Sequence, residues 1–521
     1  MKSLIHSIIA FVALGAIAVC MTVSVWACNL AWVVLLANWL VEWIFTDKAT
    51  RRAILSGFGS NRLLQAFLAL FLIQVIGLLW SANWDYGLDH VRKCFPLIAV
   101  PMVLLTRPVN DRRLWGNVLF CYVMGIVASC IVGLVRWFTI PDLPYRSIVP
   151  FLSHIRFSLN LCLAIALLLW QAWRGRRLWQ RLVCGLLSVG FLSYLFLLQS
   201  YTGLIILMLL GVVTILSRRK SLPHRRLTLS ALAGAVVLLA GVSAYFVWDY
   251  YHLKPLSQAP LASVTANGNP YQHLQDGFVE HGNYVNNYVC PIELEREWAK
   301  VSTMPLDSLT ANGYCVRPAL VRYLNALGFT KDSAGMAQLS PSDIAAIEKS
   351  VANPIYTKPL SVRRMYAVML YEYESYRCYR AVNNFTMLQR FELWRNGFQV
   401  FLQHPLFGTG TGDAVDACHA QLEASSSPMA GTTKHAHNQY LTYLISFGLI
   451  GFGVIVCFFV RAFRGRGVAR CYPLLALLTI FMLSCLTEDT LETLAGDMFF
   501  AFFASLFYSC TNTTPLPTAS E

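Results

Sequence analysis

Charge is what this chain has least of. Asp, Glu, Lys and Arg make up only 13% of its 521 residues, while 56% are hydrophobic. A soluble domain carries roughly 25% charged residues. The shortage excludes an ordinary water-soluble enzyme. Other absences narrow the field further. No Gly-Lys-Ser/Thr follows the run Gly408-Thr409-Gly410-Thr411-Gly412-Asp413, so it is not read as a nucleotide P-loop. It is expected instead to be a tight re-entrant turn joining the helix that carries Arg390 to the helix after His437. No tight His/carboxylate spacing accompanies His435-x-His437, which argues against a metal site. No internal repeat and no low-complexity tract is present.

What remains is apolar sequence, in runs long enough to cross a bilayer, which takes about 20 residues. Twelve spans are expected, at 5–25, 28–46, 64–81, 94–106, 114–137, 154–172, 183–199, 202–217, 227–249, 438–460, 471–487 and 493–510. The first is read as an uncleaved helix, because another span follows almost at once. The expected fold class is an all-α polytopic integral membrane protein with one large, mainly helical outer loop. Its blocks are a nine-helix bundle (1–249), the outer region (250–434), a three-helix bundle (435–510) and a cytoplasmic tail (511–521) holding Pro515 and Pro517.

The formal net charge of +14 suggests nucleic acid only until the positives are mapped. They gather in five groups: Lys48, Arg51, Arg52 and Arg62; Arg107, Arg112 and Arg113; Arg174, Arg176, Arg177 and Arg181; Arg218, Arg219, Lys220, Arg225 and Arg226; Arg461, Arg464, Arg466 and Arg470. Twelve spans put all five on one face, as the positive-inside rule requires. Nucleic acid is therefore not an expected partner, and membrane lipids are. The outer region therefore falls outside the cytoplasm. Four of the 15 cysteines lie there: Cys290, Cys315, Cys378 and Cys418. They suggest up to two disulfides in three possible pairings, with free thiols as the alternative.

Within the outer region, 250–315 reads as irregular and 318–350 as short helices, with Ser340-Pro341-Ser342-Asp343 opening one. A longer helix is expected over 361–380, and an amphipathic one over 387–402, ended by His404-Pro405.

The chemistry-bearing residues sit at the outer surface. His437, in His435-Ala436-His437-Asn438, precedes an apolar helix; a neutral imidazole there accepts a proton from a hydroxyl. Asn438 either donates an amide hydrogen bond to substrate or caps the helix. Arg156 is either an anchor at a span end or a phosphate ligand. Arg390 and Arg395 flank Trp394 and make an anion receiver. Tyr201 lies in the polar break Gln199-Ser200-Tyr201-Thr202-Gly203, which is otherwise a plain hairpin turn. Glu488, Asp489 and Glu492 orient a histidine, bind a metal, or only end a helix.

Arg390-Phe391-Glu392-Leu393-Trp394, then His404-Pro405-Leu406-Phe407-Gly408-Thr409-Gly410, then His437-Asn438 and Gly448-x-x-Gly451 together resemble the signature of the O-antigen ligase and O-antigen polymerase superfamily. That superfamily includes lipid A-core O-antigen ligases and bacterial protein O-oligosaccharyltransferases. The resemblance implies an all-helical enzyme similar to C-type glycosyltransferases. It implies inverting, metal-independent transfer of a glycan from undecaprenyl diphosphate, with no cofactor. His437 is then the base, or the group assisting diphosphate departure. Arg390 holds the diphosphate and Arg156 is a second phosphate ligand. His435, Asn438, Arg395 and Tyr201 complete the expected substrate site. Two positions depart from the family pattern: Tyr201 stands where an arginine is frequent, and Phe452-Gly453-Val454 where ligases often have Thr-x-Thr. Lipid A-core is the preferred acceptor. Polymerase and protein O-glycosylation stay open, and a transporter or flippase is the rival class. The rival expects ionisable residues in mid-membrane.

Overall fold

The computed structural model describes residues 2–509, apart from 107–111, 142, 176, 218–224, 259, 276, 311–312, 359–360, 383–385, 433–434, 465–467 and 469–470. Arg107, Arg176, Arg218, Arg219, Lys220, Arg466, Arg470 and the tail with Pro515 and Pro517 lie outside the described residues.

The chain is all-helical apart from one two-stranded hairpin, Val279–Glu280 with Asn283–Tyr284. Among the described residues, eight helices are long and apolar enough to cross a membrane. Twelve were expected. The other four are helices of fewer residues: Pro96–Thr106, Tyr201–Ser217, Tyr472–Ser484 and Leu494–Ser509. Pro101 lies inside the first of these, and polar connectors bound the others.

The structure divides into two compact units, 1–225 with 390–521, and 226–389. The boundaries differ from the expected 250 and 434, because residues from Arg390 onward cluster with the N-terminal helices.

The first unit is built around Leu494–Ser509, whose residues from Gly496 to Ser509 are all buried. A helix apolar on every side has no face to present to water and belongs in a core. Phe500 stacks on Phe481 at 3.8 Å and tilts against Phe67, and Phe503 meets Tyr122 edge-on. His154–Arg174 is the second core helix, buried from Phe157 through Leu168. Leu178–Leu197 lies outside them and exposes Leu186 and Val189, as a lipid-facing helix does.

The second unit holds the span Arg226–Tyr251 and a small domain with its own core of Leu294, Trp298, Leu320, Tyr323, Leu324 and Ile347. The expected short helices are Val316–Leu327, Ser333–Met336 and Pro341–Glu348. Ser340 and Asp343 form a capping box at the last of these. The expected helix over 361–380 is Val362–Tyr379, capped by Ser361. The stretch 250–315, expected to be irregular, also contains the hairpin and the helix Pro291–Val301. Glu280 is fully buried there and takes both Nε (2.9 Å) and Nη2 (3.1 Å) of Arg322. Lys331, also buried, donates to Asn287 O (3.0 Å) and Asn325 Oδ1 (2.9 Å). The suggested disulfides are not formed. Cys290, Cys315 and Cys418 are thiols, and Cys378 Sγ lies 4.0 Å from Glu374 Oε2.

Candidate active site

The glycine run explains how two distant segments come together. Gly448 interrupts the helix Gln439–Phe463 with φ 61° and ψ −167°. Only glycine occupies that region readily. The break frees the carbonyls of Ile445 and Ser446, which accept from Thr409 N–H (2.8 Å) and Gly410 N–H (2.9 Å). In return, Leu449 N–H donates to Pro405 O at 2.8 Å. A Cβ on Gly408 would sit 2.4 Å from the Ser446 carbonyl carbon, and one on Gly448 2.3 Å from that of Leu406. Asp413 then accepts from Ala82 N–H and Asn83 N–H, both at 2.7 Å. These amides serve the protein itself, so the run is a clamp and not a phosphate cradle. It joins the helix Thr386–Gln403, which carries Arg390, to the start of Gln439–Phe463.

His437 stands immediately before that helix with φ 49°. A non-glycine residue held at positive φ is uncommon and needs support. The support is Asp489. Its buried carboxylate accepts from His437 N–H (2.8 Å), Asn438 N–H (3.1 Å) and Thr442 Oγ1 (2.7 Å). Burial pushes the Asp489 carboxyl above the usual range, and neighbouring Glu492 adds to this. Trp394 Nε1 donates to His437 O at 3.4 Å. The connector 485–492 is stitched to the helix start through Gln439, which accepts from Leu491 N–H (2.6 Å) and donates to Glu492 (3.0 Å).

Arg390 is ion-paired through Nη2 to Glu488 Oε1, with both side chains largely buried. The other oxygen of Glu488 lies 3.8 Å from His437 Nδ1. One carboxylate therefore stands between the arginine and the imidazole singled out from the sequence. Arg156 joins them electrostatically: its guanidinium interacts with Glu488, Asp489 and Asp497. His154, two residues earlier, interacts with Arg146 and Arg390. Arg156 and Arg390 each keep a buried Nε–H without a hydrogen-bond partner. Two guanidiniums with donors to spare are what an incoming phosphate needs.

The remaining site candidates divide. Asn438 caps the helix, accepting from Tyr440 N–H (3.1 Å) and Leu441 N–H (3.2 Å), so its oxygen is committed to the fold. His435 Nε2 pairs with Tyr86 Oη at 3.0 Å and lies on the flank of the cluster. Burial and nearby carboxylates push the Tyr86 phenol up. Arg395 is exposed, five residues along the helix from Arg390, and is not brought into the cluster. Tyr201 is exposed at the start of Tyr201–Ser217; there Ser200 Oγ accepts from Gly203 N–H (3.4 Å), which makes the break a capped hairpin turn.

Sequence reasoning did not single out His90 and Gln74. His90 Nδ1 meets Glu492 at 3.3 Å and its Nε2 meets Gln74 Oε1 at 3.1 Å, both buried. The available signal was Gln74, a glutamine inside the apolar helix Arg62–Ile76.

The helices define a multi-pass membrane protein with a cationic and imidazole cluster at one end of its bundle. Residues 360–456 match the family described as O-Antigen ligase, which supports the O-antigen ligase superfamily and a glycosyltransferase-like enzyme. The matched stretch contains Arg390, the glycine clamp, His437 and Gly448. No curated protein matches the chain.

Proposed function

We propose that this protein transfers a glycan from undecaprenyl diphosphate to an acceptor hydroxyl on the periplasmic face of the bacterial inner membrane. The observation that carries the reading is the meeting of Arg390 and His437, both inside the matched family segment, across the carboxylate of Glu488. His437 takes the acceptor hydroxyl's proton, and the acceptor oxygen attacks the anomeric carbon from the face opposite the diphosphate. The bond to the diphosphate breaks with inversion, and the electron pair leaves on phosphate oxygen. Arg390 and Arg156 meet that charge, which in a partly dry site stabilises the leaving group more than water would. The transfer is metal-independent and needs no nucleotide. Lipid A-core is the favoured acceptor, giving a ligase; a growing glycan would make it a polymerase and a protein hydroxyl an O-oligosaccharyltransferase.

The test is reconstitution. Purified protein in proteoliposomes receives an undecaprenyl diphosphate-linked glycan and, separately, lipid A-core, a second lipid-linked glycan, or an acceptor protein. Product on lipid A-core that needs His437 and Arg390 supports the ligase. Product on another acceptor reassigns the subtype. No transfer to any of them, with donor bound, refutes the reading.

A further inference from the structure

We propose that Glu488 is a positioning residue shared between Arg390 and His437: an arriving diphosphate takes the guanidinium, and the displaced carboxylate moves to the imidazole. The proposal rests on the transfer reading for the identity of the ligand. The sharing itself rests on geometry.

Glu488 has one oxygen on Arg390 Nη2 and the other 3.8 Å from His437 Nδ1. A hydrogen bond between nitrogen and oxygen closes at about 2.7–3.2 Å. Glu488 is therefore within reach of the imidazole without hydrogen-bonding it, and a shift of about 1 Å would close that contact. Phosphate matches a guanidinium bidentately and carries more charge than one carboxylate, so it displaces Glu488 from Arg390. The released side chain has little water to turn to, being only 15% exposed. His437 Nδ1–H, 3.8 Å from its second oxygen, is a donor within reach.

That contact fixes the tautomer with Nε2 bare and stabilises the imidazolium that forms at proton transfer. The base is then strengthened only when donor is bound. The proton leaves the acceptor hydroxyl for Nε2, the carbon–oxygen bond to the acceptor forms, and the bond to the diphosphate breaks. The imidazolium later returns its proton to solvent. Other groups also bear on the ring: Asp489 on the same connector, Arg390 on the facing helix, and His435 with Tyr86 beside it. Glu488 is the one whose partner the ligand removes.

The test reads His437 directly. Full-length protein in detergent is treated with diethyl pyrocarbonate across pH, and modification of His437 is followed by mass spectrometry, with and without farnesyl diphosphate. Glu488→Gln should lower the titration midpoint of His437 and Arg390→Gln should raise it, each by about one pH unit. In the double variant the effect of Arg390→Gln should fall to less than half, the remainder being the direct action of the guanidinium on the ring, because most of it acts through the shared carboxylate. Farnesyl diphosphate should raise the wild-type midpoint, and by less than half as much in Glu488→Gln, while binding that variant at least as tightly. An Arg390→Gln effect of equal size with and without Glu488 overturns the proposal. Failure of farnesyl diphosphate to bind the wild type overturns both the release step and the transfer reading. Binding without coupling overturns this proposal alone. Should Glu488→Gln not fold, Glu488→Asp keeps the charge on a shorter arm. It should still bind farnesyl diphosphate but lose the midpoint rise; an undiminished rise contradicts the sharing.

Discussion

Asp489→Asn gives the sharpest test of how the imidazole is held. The carboxylate accepts three hydrogen bonds, from His437 N–H (2.8 Å), Asn438 N–H (3.1 Å) and Thr442 Oγ1 (2.7 Å), at a site only 6% exposed. An asparagine side chain keeps one acceptor oxygen and turns an amide NH2 toward the other donor. One backbone N–H is left buried and unpaired, at a cost of about 1–3 kcal/mol. His437 also sits at φ 49°, a conformation costing of order 1–3 kcal/mol when nothing compensates it. Together the productive turn should lose about 2–6 kcal/mol, so kcat should fall by roughly 30-fold or more. The donor KM should stay within about threefold, since that factor is worth under 1 kcal/mol and Arg390 and Glu488 are untouched. The assay is transfer in proteoliposomes with donor and acceptor varied, beside a thermal melt to confirm folding. A variant that melts as wild type and keeps kcat within about threefold would refute the argument that Asp489 holds the His437 turn.

Other expectations follow from the same structure. Gly448→Ala places a side chain at φ 61° and 2.3 Å from the Leu406 carbonyl carbon; folded yield and melting temperature should both drop, at a cost of about 3 kcal/mol or more. Arg390→Ala should raise donor KM and lower kcat, whereas Arg395→Ala, at an exposed position, should change stability by no more than about 0.5 kcal/mol and leave transfer kinetics alone. Lys331 is held down at about 7 by burial, with Glu280 opposing the shift. Its unfolded value is about 10.4, so between these the unfolded chain binds more protons. The stability of the 226–389 unit should therefore rise with pH across that window and be lost as pH falls through the folded value. Lys331→Met should flatten this dependence, read as the difference between variant and wild-type melting curves.

Much of the helical layout was legible in the sequence because hydrophobic runs and caps are local signals. Ser340 with Asp343, Ser361 and Asn438 all stand where helices begin. The number of full-length spans was not legible: apolarity does not fix how many residues stay helical around Pro101 or the connector 485–493. Arg390, Arg156 and His437 were identifiable as chemistry at a membrane surface, but their meeting depends on Glu488, about fifty residues beyond His437 in sequence. Nothing local encodes that. Arg395 was an overreach of proximity in sequence: five residues along a helix turn a side chain well away from Arg390. The glycine run was readable as a turn, and its partner carbonyls become visible only once Gly448 breaks the helix.

The most direct measurement is complementation of a deletion strain with wild type or His437→Ala, profiling lipid-linked and surface glycans together. The account predicts that His437→Ala is made and folded, that long glycan accumulates on undecaprenyl diphosphate, and that the acceptor, expected to be lipid A-core, loses it. Accumulation of single repeat units alone would point to a polymerase. Profiles matching wild type would contradict the claim that His437 serves glycan transfer.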